Sequence, residues 1–128
     1  MKKLLIITLG IFLLTVSSCS KDKNPTRAII NLTDVSGTPV SGITVYAYDS
    51  GTWDAFGDNV FFADKTVSSD ASGKCTFELD DIINLFAFDS QETIYFSAHY
   101  TLNSLEKEKY ISITFNEGEE KTGAITLD

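Results

Sequence analysis

The stretch DVSGTPVSGITVYAYD, residues 34–49, contains the two signals that decide the fold. Its second half alternates, and the apolar members of the alternation are Ile43, Val45 and Ala47. A period of two places one set of side chains on a buried face and the other toward water. Its first half holds Gly37, Pro39 and Gly42, which are typical turn formers. The stretch therefore predicts a turn that leads into a half-buried β-strand.

Period-two alternation recurs along the chain from Arg27 onward and predicts five further strands. Their apolar sets are Ala28, Ile30 and Leu32; Cys75, Phe77 and Leu79; Ile94, Phe96, Ala98 and Tyr100; Ile111, Ile113 and Phe115; and Ile125 with Leu127. A seventh strand is expected within residues 60–67. Turn residues at 70–73 and 116–118 separate these runs, and residues 80–85 are expected to form one helical turn before Phe86. The pattern predicts an all-β, six- to seven-stranded antiparallel β-sandwich, prealbumin-like or Ig-like, over residues 27–128.

Two segments together carry a family resemblance: residues 34–49 and TVSSDASGKCTFEL, residues 66–79. A G-x-P-V-x-G turn, a V-x-A strand and a later G-x-x-x-F run resemble the carboxypeptidase regulatory-like and transthyretin-like (prealbumin-like) domains. The resemblance implies a seven-stranded antiparallel sandwich that serves as an accessory or adhesion module without catalysis.

An enzymatic branch of the same fold, the transthyretin-like hydroxyisourate hydrolases, uses several histidines, an arginine and a C-terminal Tyr-Arg-Gly-Ser. This chain has one histidine, His99, and one arginine, Arg27, and it ends Thr126-Leu127-Asp128. We therefore expect that the protein is not an enzyme. No phosphate loop, zinc-ligand spacing or Ser-His-Asp pattern is present, so the sequence predicts no cofactor and assigns no metal ligand.

The N-terminal residues describe a targeting segment. Two lysines precede an apolar run of 13 residues, Leu4 to Val16, which is shorter than the roughly 20 residues that span a bilayer as a helix. Val16-Ser17-Ser18-Cys19 resembles the lipobox of bacterial lipoproteins, in which lipid is attached to the cysteine thiol. We expect residues 1–18 to be a signal peptide, Cys19 the lipidation site, and residues 19–26 a lipidated tether. The resemblance implies a lipid-anchored protein of the bacterial cell envelope, and the outer membrane is favoured. The sequence does not distinguish a periplasmic from a surface-facing orientation.

The charge excludes one class of partner. The full chain has a formal net charge of -8, and removal of Lys2 and Lys3 with the signal peptide gives -10 (-8 minus 2). A domain this acidic repels nucleic acid and anionic lipid surfaces. We therefore expect no nucleic-acid partner, and membrane association through the N-terminal lipid alone.

Cys75 and His99 are predicted on opposite faces of their strands. Cys75 belongs to an inward set, where an unpaired cysteine behaves as a small hydrophobe; an intermolecular disulfide or a reactive thiol is the alternative. His99 belongs to an outward set and is expected at the surface. The two therefore should not form a nucleophile pair.

The segment DSGTWDAFGDN, residues 49–59, leaves three interpretations open. Trp53 and Phe56 could close one end of the core while the acidic residues stay solvated. Alternatively, Trp53 could stack on a sugar while carboxylates accept its hydroxyl hydrogen bonds, or the oxygen ligands could hold Ca²⁺. The spacing does not match an EF-hand loop.

Three tyrosines at 46, 48 and 95 fall on outward positions. They would form an aromatic interaction patch, unless each is covered or the register is shifted by one residue. The candidate ligand-binding residues are Trp53, Phe56, Tyr46, Tyr48, Asp54 and Asp58.

The leading hypothesis is a non-catalytic envelope lipoprotein that acts as an accessory, assembly or adhesion β-sandwich module with a protein partner. The alternative is a surface glycan-binding lipoprotein that uses the aromatic loop around Trp53. Size, acidity and expected location also allow a small inhibitor or scavenger of extracellular enzymes.

Overall fold

The computed structural model describes residues 24–83 and 91–128, with seven strands in two packed sheets. The elements in chain order are β1 (Arg27–Asp34), β2 (Thr44–Asp49), α1 (Ser50–Phe56), a 3-10 helix (Val60–Phe62), β3 (Lys65–Ser68), β4 (Lys74–Glu78), α2 (Asp80–Ile83), β5 (Gln91–Leu102), β6 (Leu105–Asn116) and β7 (Glu120–Leu127). One sheet has the order β4-β1-β7 and the other β3-β2-β5-β6. The predicted all-β sandwich is confirmed.

One strand pair departs from the antiparallel expectation. β1 and β7 run parallel, with Arg27 opposite Glu120 and Asp34 opposite Leu127. The short turn after β6 reverses the chain, and the resulting direction of β7 coincides with that of β1. All other paired strands are antiparallel.

The core lies between the two sheets and consists of the inward sets that the alternation predicts. Its fully buried members include Ala28, Ile30, Leu32, Val45, Ala47, Cys75, Leu79, Ile94, Phe96, Ala98 and Phe115. Cys75 is a free cysteine in this core, as predicted, and burial raises the pKa of its thiol to about 11. Cys19 lies outside the described residues.

Two turns of identical design frame this core. Asp34 begins the turn DVSG and Asp70 begins the turn DASG. In each, one carboxylate oxygen of the aspartate accepts from the backbone N–H groups two and four residues later, at 2.8 and 3.0 Å. The glycine of each turn, Gly37 or Gly73, has a positive φ and donates its N–H to the aspartate carbonyl.

The predicted boundaries shift slightly at the tether and at α2. The sequence places Thr26 in the tether, but Thr26 is fully buried, and its N–H donates to Asp80 at 2.9 Å. The folded domain therefore includes Thr26. The expected helical turn at 80–85 is present as α2 up to Ile83, while Phe86 lies outside the described residues. In the described part of the chain, no helix is long and apolar enough to cross a membrane.

The expected seventh strand is present but shorter than predicted. β3 begins at Lys65, whereas Val60–Phe62 forms a 3-10 helix. Alternation over 60–67 did not reveal this, because three apolar residues in a row fit a strand and a helical turn equally well.

Replacement of Gly73 by alanine should cost more stability than the same change at Gly37. A Cβ on Gly73 would lie 2.5 Å from the carbonyl oxygen of Leu32, whereas one on Gly37 meets nothing within 4 Å. Both changes carry the strain of positive φ, about 1–2 kcal/mol, and only Gly73→Ala adds a backbone clash. In urea unfolding, Gly73→Ala should lower the free energy of unfolding by about 3 kcal/mol or more. Equal losses in the two variants would contradict the close packing of this turn on β1.

Candidate functional site

The segment between β2 and β3, residues 50–64, folds over the outer face of the four-stranded sheet and is called here the β2–β3 insertion. Asp49 caps α1 by accepting from the N–H of Thr52 at 2.7 Å, and Gly57 ends it with a positive φ. Asn59 caps the 3-10 helix by accepting from the N–H of Phe61 at 3.1 Å. No helix was expected here, because seven residues carry no apolar period; the Asp49 and Gly57 capping pair was the signal available.

Trp53 packs on the outside of this sheet and does not close the core. Its ring stacks on Tyr95, with centroids 4.6 Å apart and an interplanar angle of 1°. Tyr48 meets it edge-on at 5.3 Å, and Tyr110 lies against it at 4.8 Å. The interpretation of Trp53 as a cap of the core is therefore wrong. It covers three tyrosines of β2, β5 and β6 instead.

The outward register of the predicted tyrosines is confirmed, but they do not form one open patch. Tyr48 is fully buried beneath the β2–β3 insertion, so its ring is not open to a ligand. Tyr46 is half-buried and packs edge-on against His99, with centroids 4.9 Å apart. Tyr110, which sequence reasoning did not select, is 56% exposed.

Asp58 anchors the insertion to the sheet through a set of side-chain hydrogen bonds. Its carboxylate accepts from the hydroxyl of Tyr48 at 2.8 Å and from the hydroxyl of Ser97. Nε2 of His99 lies 3.1 Å from each of its two oxygens. Burial, followed by the neighbouring carboxylate, raises the pKa of Tyr48 far above its ordinary value, so this hydroxyl stays protonated as a donor. The surface position expected for His99 is thus corrected to a partly buried partner of Asp58.

The acidic residues of the segment separate into two groups. Asp54 is exposed, as the solvated interpretation expects. Asp58 is not, since its side chain is only 13% exposed. Asp64 accepts from the N–H of Asp49 at 2.8 Å, and burial raises the pKa of its carboxyl. Glu92 on β5 accepts from the N–H and hydroxyl of Ser50, so both ends of the insertion are tied to the sheet.

Ser97, His99 and Asp58 have the residue types of a hydrolase triad but not its arrangement. In a triad the histidine lies between the serine and the carboxylate, so that it can remove the hydroxyl proton. Here the Ser97 hydroxyl donates to Asp58 directly, and Ser97 is fully buried. The geometry therefore fits a structural anchor and provides no activated nucleophile.

A concave surface of about 530 Å³ lies beside this anchor on the β5–β6 hairpin. It is lined by His99, Tyr100, Thr101, Glu106, Lys107 and Glu108. His99 and Glu108 are directly opposite each other in the strand register, with Nε2 of His99 3.9 Å from a carboxylate oxygen of Glu108.

The insertion also displays three phenylalanines, named here the phenylalanine surface: Phe56, Phe61 and Phe62. Phe56, on α1, is 52% exposed, and its ring stacks on that of Phe62 with centroids 3.9 Å apart. Phe61 is 90% exposed and Phe62 45%. Of the candidate residues predicted in this segment, Phe56 thus forms an exposed apolar pair with Phe62, and the exposed Phe61 precedes Phe62 in the chain.

Comparisons with known proteins show no family. No family model matches the chain, and no curated protein is similar to it. One solved structure, a candidate carbohydrate-binding protein from Pseudomonas aeruginosa, aligns over 87% of this chain and 92% of its own. Its sequence identity is 9% and the TM-score is 0.32. A similarity at this level does not bear on function.

Replacement of Asp58 by alanine should release the β2–β3 insertion. The hydroxyls of Tyr48 and Ser97 would lose their acceptor while buried, which we expect to cost about 3 kcal/mol. Because Trp53 is the only tryptophan in the chain, its fluorescence should report the undocking during urea unfolding. Asp54→Ala, which removes an exposed acid from the same segment, should change stability by about 0.5 kcal/mol or less. Equal effects of the two variants would refute the anchoring role of Asp58.

Proposed function

We propose that this protein is a non-catalytic, lipid-anchored module of the bacterial cell envelope that binds a protein partner through the phenylalanine surface. The observation that carries the proposal is the exposure of Phe56, Phe61 and Phe62 on one short insertion. Large apolar side chains that are exposed together mark interaction sites more often than isolated ones do.

The other exposed large hydrophobic residues within 24–83 and 91–128 belong to other elements of the chain. They are Val35 in the turn after β1, Leu105 at the β5–β6 turn and Tyr110 on β6. Half of the six exposed large hydrophobic residues thus belong to thirteen residues of the chain, 50–62. This concentration favours a dedicated contact surface over incidental exposure.

The phenylalanine surface is also held in place before any partner binds. Asp58 and Asp64 tie the insertion to β2 and β5, and Trp53 of α1 stacks on Tyr95 of β5. A surface fixed in advance loses less conformational entropy on binding, and aromatic side chains supply a large contact area.

Charge gives the expected chemistry of the partner. The formal net charge is -8 for the full chain, and the exposed Asp54 lies two residues from Phe56. We therefore expect a partner with an apolar contact area and a basic rim, because complementary charge speeds association and suppresses wrong partners.

Two features lead us to favour a protein partner over the glycan alternative. Trp53, which a sugar-stacking site would need open, is stacked on Tyr95 and flanked by two further tyrosines. Tyr48 is fully buried. Tyr110 is the exposed ring of this cluster, whereas the glycan alternative places the sugar on Trp53.

The membrane anchor is part of the same proposal. The lipobox-like Val16-Ser17-Ser18-Cys19 supports lipid attachment at Cys19. Thr26, seven residues later, is buried in the domain, so a tether of about six residues would hold the domain close to the membrane surface.

Binding should depend on Phe61 and not on exposed apolar residues elsewhere. From detergent-solubilised membranes, Phe61→Ser should capture at least about tenfold less partner than the unchanged protein does. Val35→Ser, at a position 75% exposed in a distant turn, is the matched control and should capture it fully. Both side chains are exposed, so neither change should unfold the domain. Equal capture by the two variants would remove the phenylalanine surface from the proposal, and no stable partner at all would remove the binding role.

Fatty-acid labelling tests the anchor separately. In cells supplied with labelled palmitate, the unchanged chain should incorporate label and fractionate with membranes. Cys19→Ala should lose both, whereas Cys75→Ala, which removes the buried cysteine, should keep the label. Unchanged labelling of Cys19→Ala would overturn the envelope assignment.

A further inference from the structure

We propose that Asp58, His99 and Glu108 bind a divalent transition-metal ion of the zinc class, which clamps the β2–β3 insertion to the β5–β6 hairpin. The three residues come from the insertion, β5 and β6. One ligand atom from each lies within 4.8 Å of the other two. The site shares no residue with the phenylalanine surface.

The donor set suits this class of ion. An imidazole nitrogen with two carboxylate oxygens is a combination that zinc accepts, with metal–ligand distances of about 2.0–2.2 Å. At tetrahedral geometry those distances separate ligand atoms by about 3.4 Å. The observed separations are 3.1 Å from His99 Nε2 to Asp58 and 3.9 Å to Glu108. All three ligand atoms lie within 4.8 Å of one another, so closing the widest separation to the tetrahedral value takes a combined side-chain shift of about 1.4 Å or less.

Strand pairing fixes two of the three ligands. His99 and Glu108 are direct partners in the β5–β6 register, so both side chains lie on the outer face of the sheet. Asp58 is brought to them by the insertion. An ion bound by all three residues would therefore join the insertion to both strands of the β5–β6 hairpin.

Asp58 already has the supporting contacts of a metal-binding carboxylate. Tyr48 donates to one of its oxygens and Ser97 to the other. Each carboxylate oxygen has two lone pairs, and the second on each oxygen faces Nε2 of His99 at 3.1 Å, so it becomes available to an ion once that nitrogen binds the ion as well. Hydrogen bonds of this kind orient ligating carboxylates in metal sites.

The two carboxylates also lack a permanent cation. In residues 24–83 and 91–128, His99 is the sole basic side chain within salt-bridge distance of Asp58 or Glu108. The paired lysines and arginine contact other acids: Glu78, Asp81, Glu119, Glu120 and Asp128. A divalent ion would neutralise the charge of Asp58 and Glu108 together.

Access is available from the concave surface of about 530 Å³ that His99 and Glu108 line. The three protein ligands leave a fourth tetrahedral position for water from that side. Because Asp58 is mostly buried and Glu108 is 62% exposed, the ion would enter past Glu108.

Titration of the untagged full-length protein with zinc, followed by calorimetry, tests this site. We expect saturable one-to-one binding and a rise in Tm that grows with zinc concentration. Glu108→Gln should weaken binding at least about tenfold, because even the loss of a supporting contact costs 10–100-fold. Glu106→Gln is the matched control: Glu106 lies on the same face of β6, two residue pairs further along the strand, and outside the cluster. It should bind zinc as the unchanged protein does.

A second measurement identifies the nitrogen ligand. His99 is the chain's only histidine, so the imidazole region of a ¹⁵N NMR spectrum contains a single residue whose resonances should move on zinc binding. His99→Gln should abolish one-to-one binding. Several results would overturn the proposal: no saturable binding, equal affinities of Glu108→Gln and Glu106→Gln, unmoved imidazole resonances, or binding of calcium but not zinc.

Discussion

The carboxylate of Asp58 is the constraint on which the position of the β2–β3 insertion depends. It accepts from Tyr48 and Ser97, two hydroxyls on adjacent strands that would otherwise be buried without an acceptor. No buried side-chain polar atom in the described residues lacks a partner. Because this one acid satisfies both hydroxyls, the β2–β3 insertion can close over the outer face of the sheet, and Trp53 then stacks on Tyr95.

The two faces of the four-stranded sheet are therefore covered through different kinds of interaction. The inner face packs aliphatic and aromatic side chains against β1, β4 and β7. Hydrophobic packing is not directional, so the pleat of the strands is enough to place these side chains. The outer face carries tyrosines, a serine and a histidine, and it is covered through directed hydrogen bonds and ring contacts. An insertion held this way packs Trp53 of α1 on the sheet and leaves Phe56, Phe61 and Phe62 exposed. The exposed surface is thus a consequence of the anchor.

Local signals explain which parts of the fold could be predicted. The alternation of Ile94, Phe96 and Ala98 predicts both a strand and its buried face, because the pleat alone sets the period. The turns at 34–37 and 70–73 follow from side chains that bond the backbone two and four residues away. The parallel β1–β7 pair has no such signal, because which strands become neighbours is decided by how the sheets pack.

By itself the sequence determined the strands, the inward core set with Cys75, and the outward register of Tyr46, Tyr48 and Tyr95. Only the tertiary structure decided that Tyr48 is buried, that Trp53 covers the sheet, and that Asp58 meets His99 across 41 residues. The physical reason is the range of the interactions. Alternation and turn chemistry act over two to four residues, whereas the partners of an acid in an insertion depend on where that insertion folds back.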